Sequence, residues 1–99
     1  MRVTLRFFDG CPNWHTAQAA LREALDATAH EKVDIVLEKV ESLEAAQRLG
    51  FTGSPTILIN GKDPFCTPGS LPGLACRIYN TPEGMRGSPT VEQLAALLR

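Results

Sequence analysis

Three cysteines, Cys11, Cys66 and Cys76, are the residues of this chain whose chemistry extends furthest beyond packing, and Cys11 is the best placed of them. An apolar stretch ends at Phe7-Phe8, Asp9-Gly10 makes a turn, Cys11 follows, and Pro12 stands where the first turn of a helix begins. Proline suits that position because its fixed φ is helical and its missing N–H would have lacked a partner there anyway. The first N–H groups of a helix have no intrahelical acceptors and the helix dipole adds partial positive charge. A sulfur at this point is therefore favoured as thiolate over thiol. His15 lies four residues on and, within the first turns, on the same face. Protonated, it favours the thiolate further; neutral, it accepts the thiol proton; equally, it is a solvated surface histidine. Asp9 opposes the thiolate if it faces the sulfur, although an Asp before Gly ordinarily serves the turn itself. Cys11 is thus the candidate nucleophile and His15 its candidate partner.

Thiol–disulfide exchange also needs a leaving sulfur and a thiol that resolves the mixed disulfide. Cys66 lies in a Pro/Gly-rich stretch over residues 63–75 and is the candidate resolver if that loop folds over the Cys11 turn; a second protein or a small thiol would serve in its place. Cys76 opens an apolar stretch and reads as a small core residue, or as a partner that closes a short loop with Cys66. Two other classes of function stay open. In one, the three sulfurs converge on a soft metal such as copper(I), mercury or zinc, although closely spaced Cys or His pairs are missing. Alternatively, a groove between the Cys11 and Pro55 turns holds a partner segment without catalysis, with Trp14 as aromatic anchor or, in the blander reading, as core. None of these readings implies a cofactor.

The elements that must position these residues follow from periodicity. Val3, Leu5 and Phe7 alternate with Arg2, Thr4 and Arg6, the period of a strand with one buried face. Trp14, Ala17, Leu21, Ala24, Leu25 and Thr28 then recur at helical spacing. Val33, Ile35 and Leu37 predict a second strand, parallel to the first because a strand–helix–strand order with short links crosses over right-handed. Ser42 can cap a short helix that Gly50 ends. Ile57-Leu58-Ile59 predicts a buried strand, and Asn60-Gly61 a two-residue hairpin turn. Pro64, Pro68, Gly69, Pro72 and Gly73 then break every period. Cys76-Arg77-Ile78-Tyr79 is the expected returning strand. Thr90 and Gln93 form a capping box for a closing helix carrying Val91, Leu94, Leu97 and Leu98.

The expected architecture is a single α/β domain over residues 1–99, with a β-α-β-α-β-β-α order, a four-stranded mixed sheet and helices packed on it. A chain of 99 residues supports one modest core, and 43% hydrophobic with 21% charged residues is ordinary for a globular domain. A formal net charge of −1 argues against nucleic acid or an anionic membrane as partner. The alternating start Met1 to Arg6 differs from the continuous apolar core of a signal peptide, so the expected compartment is the cytoplasm, where an odd number of cysteines points to thiol chemistry and not to a disulfide framework.

This order, with a cysteine opening the first helix and Ser54-Pro55-Thr56 opening the third strand, resembles the thioredoxin-like family over nearly the whole chain. The similarity is carried most specifically by Phe7 to Pro12 and by Gly53 to Gly61. It implies a cis Ser54-Pro55 bond beside the active cysteine, with Pro12, Trp14, Ser54 and Pro55 shaping the substrate groove. It further implies thiol–disulfide oxidoreductase activity toward a protein or small-molecule thiol or disulfide. The chain departs from the thioredoxin pattern at Trp14, where that family has its second cysteine, and is closer there to monothiol relatives of glutaredoxin type. A weaker similarity, through Gly10 to Trp14 and Asp63-Pro64-Phe65, is to small proteins bearing an alkylmercury lyase label.

Overall fold

Alternation in the first seven residues produces β1 (Val3–Phe7), whose Val3, Leu5 and Phe7 are buried while Thr4 and Arg6 face the other way. The computed structural model describes residues 1–66 and 69–99. After β1 come α1 (Asn13–Ala27), β2 (Ile35–Lys39), α2 (Leu43–Leu49), β3 (Thr56–Ile59), β4 (Tyr79–Thr81), β5 (Gly84–Arg86) and α3 (Val91–Leu98). β1 is the central strand of a three-stranded sheet in the order β2-β1-β3. It pairs parallel with β2, Leu5 opposite Leu37, and antiparallel with β3, Leu5 opposite Ile57.

One core cluster closes over this sheet. Ala17, Leu21, Ala24 and Leu25 from α1 meet Val3, Leu5 and Ile57 from the strands and Leu94, Ala95 and Leu98 from α3. Small alanines on the α1 stripe let the helix lie close to the sheet and to α3. A second, smaller cluster of Val40, Ala46 and Phe51 anchors α2. The ends of the helices are settled locally. Ser42 accepts from the Ala45 amide at 3.0 Å, Gly50 takes a left-handed φ of 69°, and Thr90 and Gln93 complete the capping box at 3.1 and 3.0 Å. The His30 ring sits 2.9 Å from the Leu98 carbonyl, joining the end of α1 to the end of α3.

Among the described residues the expected four-stranded sheet is not formed; the strands make a three-stranded and a separate two-stranded sheet. Asn60 and Gly61, with φ of 53° and 81°, turn the chain back at the Asn-Gly hairpin, but among the described residues the return makes only the single bridge Ile59↔Lys62. The prolines that follow cannot donate to a ladder, so the chain leaves the edge of β3; Pro68, one of the expected breaking residues, lies outside the described residues. Cys76 to Tyr79 is correspondingly not a strand. Cys76 forms an isolated parallel bridge with Ser54, and β4 begins only at Tyr79, pairing with β5 in a separate two-stranded sheet that sequence periodicity did not indicate. Among the described residues, no helix is long and apolar enough to cross a membrane.

Candidate functional site: a disulfide between two turns

The turn after β1 is closed by the Cys11 amide, which donates to the Phe8 carbonyl at 3.2 Å. Pro12, with φ of −70°, is the cap residue from which α1 departs and not its first helical residue, so the helix starts one residue later than the sequence predicts and Cys11 precedes it by two residues. The Phe8 amide reaches across to Ser54 Oγ at 3.1 Å and fixes the Cys11 turn against the Ser54-Pro55 turn, whose peptide bond is cis. Cys11, Ser54 and Pro55 are all essentially without solvent exposure.

The third component arrives from far along the chain. Gly73 donates to the Phe51 carbonyl at 2.9 Å, Ser54 to Ala75 at 2.8 Å, and Arg77 to Ser54 at 2.9 Å, so residues 73–77 run beside residues 51–54. Gly53 makes this approach possible. Its φ is 145°, and a Cβ there would lie 3.0 Å from Arg77 Cβ and 3.3 Å from the Ala75 carbonyl oxygen. The register brings Cys76 to Cys11, and the two form a disulfide with Cα atoms 5.5 Å apart.

This pairing corrects the reading of Cys76 as a core residue or as a partner for Cys66: Cys76 is exposed and bonded to Cys11. Cys66 is exposed with a free thiol, and it lines a shallow cleft of about 310 Å³ with Arg77, Tyr79 and Met85. Among the described residues no three His, Cys, Asp or Glu side chains cluster as metal ligands, so Cys11, Cys66 and Cys76 do not converge.

The loop that delivers Cys76 is held by Arg77. Its guanidinium pairs with Asp63 at 2.7 Å, donates to the Phe65 carbonyl and lies 4.8 Å over the Tyr79 ring. Tyr79 is buried, packs edge-on against Phe65 with ring centroids 5.3 Å apart, and donates its hydroxyl proton to the Pro55 carbonyl. Burial pushes the Tyr79 phenol well above its usual 10.0. The Arg77 charge is thus engaged within the fold.

Of the remaining predicted residues, Trp14 stacks on Phe7 at 4.1 Å and packs against the core, while exposed His15 lies against Trp14 at 3.7 Å. His15 contacts an aromatic ring, and none of the described hydrogen bonds joins it to Cys11. Asp9 is engaged by Lys39 at 2.6 Å, and that hydrogen bond is the main reason the Lys39 ammonium is held above its ordinary range. Pro12 is exposed at the mouth of the helix. No protein-family model, no curated protein and no solved structure matches this chain.

Proposed function

We propose that this is a thioredoxin-like domain of the cytoplasm that carries out two-electron thiol–disulfide exchange through Cys11 and Cys76, with Ser54 and Pro55 forming the wall behind the bond. The observation that carries the reading is the Cys11–Cys76 disulfide itself, joining the start of α1 to the segment bridged to Ser54. The second cysteine that Trp14 displaces from the first helix is supplied from residue 76. In a reducing compartment such a bond is transient and belongs to a catalytic or sensing cycle. The reduced protein gives up two electrons and two protons as its thiols close to the disulfide, and a substrate disulfide takes them to become two thiols. Cys66 is a third thiol on the same loop and is not needed for that balance.

The test is single-turnover reduction of an aromatic disulfide such as dithionitrobenzoate by the reduced protein with Cys66 replaced by serine. The reduced chain releases two aromatic thiolates per chain and keeps none bound, because the second protein thiol displaces the first adduct, whereas Cys11→Ser or Cys76→Ser releases one and retains the other as a mixed disulfide. If the reduced chain with both cysteines instead keeps the aromatic thiol bound to either sulfur, the assignment is wrong.

A further inference from the structure

The two sulfurs of the bond are not equivalent. Cys11 is fully buried, behind the Phe8 turn and beside Ser54 and Pro55, which are also fully buried, whereas Cys76 is exposed. Exchange at a disulfide is a displacement at sulfur: the attacking thiolate bonds to one sulfur and the other departs as thiolate. We propose that Cys76, and not the helix-start cysteine, is the sulfur that exchanges with substrate, and that Cys11 is the internal sulfur that leaves and later resolves. This rests on the exchange reading given above and assigns the roles within it.

Two independent features point the same way. Access comes first: a nucleophile aimed at the Cys11 sulfur must displace the buried wall, while one aimed at Cys76 arrives from solvent. Charge comes second. When Cys76 is attacked, the departing anion is Cys11, two residues before α1, where the free amides and dipole of a 15-residue helix favour negative charge. The better stabilised thiolate leaves faster. The opposite polarity would release Cys76 on a loop whose nearby cation, Arg77, is already paired with Asp63.

The steps balance without another reagent class. An external thiolate forms a bond to Cys76 sulfur as the Cys11–Cys76 bond breaks, and the electron pair stays on Cys11. A second thiolate attacks the external sulfur of the mixed disulfide and frees Cys76, so the protein has gained two electrons and two thiols have become one disulfide. In the reverse direction reduced Cys76 attacks the substrate disulfide, and Cys11 thiolate then displaces the bound sulfur to restore the Cys11–Cys76 bond.

The experiment uses the oxidised wild-type chain. Cys66 is first capped with N-ethylmaleimide, reduced glutathione is then added briefly, and the reaction is quenched in acid with the free thiol alkylated before peptide mass mapping. Glutathione is expected on Cys76, with the alkyl label on Cys11, in at least about tenfold excess over the reverse arrangement. Glutathione mainly on Cys11, or equally on both, overturns the assignment of roles while leaving exchange intact. An absence of adduct at either sulfur removes the exchange reading and the role assignment together. As a second measurement, Cys11→Ser captures glutathione disulfide as a stable adduct at Cys76, and Cys76→Ser reacts at Cys11 at least about tenfold more slowly, because its thiol is buried. Equal rates in the two variants overturn the proposal as well.

Discussion

Between α1, α3 and the three-stranded sheet the chain is held by hydrocarbon, with Leu5, Leu21, Leu25, Ile57 and Leu94 all fully buried. Between Asp63 and Tyr79 it is held by discrete ties: the Cys11–Cys76 bond, the Arg77–Asp63 pair and the Tyr79 hydroxyl on Pro55. Leu71, Leu74 and Ile78 in this second region remain exposed, and among its described residues the large apolar side chains that do pack inward are Phe65 and Tyr79, at its two ends. Burial stabilises in proportion to area and survives the loss of any one contact, whereas a discrete tie is made or absent. The region around Cys76 is therefore the part of the molecule whose attachment changes when one covalent bond changes.

The largest effect expected from that contrast comes from opening the bond. The two cysteines are 65 residues apart, and a loop of that length gives a cross-link worth about 4 kcal/mol in the chain-entropy account. Urea denaturation of the oxidised and reduced chains, with Cys66 capped, measures it. In the reduced chain, amide exchange should accelerate first in residues 73–81, while α1 and β1 retain their protection. A loss below about 1 kcal/mol, or uniform loosening of both regions, would break the contrast.

Next is the ion pair. Arg77→Met keeps much of the stem but leaves the Asp63 carboxylate, only 18% exposed, without its cation, and it removes the donor to Phe65. Loss of one partner of a largely buried pair predicts destabilisation of about 3 kcal/mol. Adding Asp63→Asn removes the stranded charge and should recover part of that loss, which a double-mutant cycle reads directly. If the second change adds to the cost, the contribution of Asp63 lies in accepting from the Phe65 amide at 2.9 Å and not in pairing with Arg77.

The contrast also explains what the sequence disclosed. The hydrocarbon-held region was legible because its signals are local and periodic: alternation in β1, the Ala17 to Leu25 stripe in α1, Ser42 and Gly50 bounding α2, and Thr90 with Gln93 opening α3. The tied region was not. Cys76 reaches Cys11 only through the register of residues 73–77 on residues 51–54, a pairing set by long-range contact after a stretch with no period. Gly53 carries its one local trace, a glycine where two backbones meet, and alone it does not say which segment approaches. β4 and β5, at three residues each, are too short for alternation to show. The candidate site was legible in part: Cys11, Ser54 and Pro55 are brought together, but the partner sulfur belongs to residue 76.

The smallest effect separates the hydroxyl tie from the packing around it. Tyr79→Phe keeps the buried ring against Phe65 and removes only the bond to the Pro55 carbonyl, so about 1 kcal/mol should be lost near neutral pH. The same substitution has a pH signature. Burial raises the Tyr79 phenol above 10.0, so the folded chain keeps a proton that the unfolded chain releases as pH rises through that value. The contribution is fully present below 10.0 and lost at higher pH. Wild type should therefore lose stability in that range faster than Tyr79→Phe, and the gap between them should narrow. Lys39, held high by Asp9, also weakens the fold in alkali, but it is present in both chains and cancels in the difference. Denaturant midpoints for the two proteins, taken near neutrality and again above 10.0, make the comparison. A gap that stays constant would mean that the folded chain does not hold the phenol's proton any more tightly than the unfolded chain, so burial does not seal it from solvent.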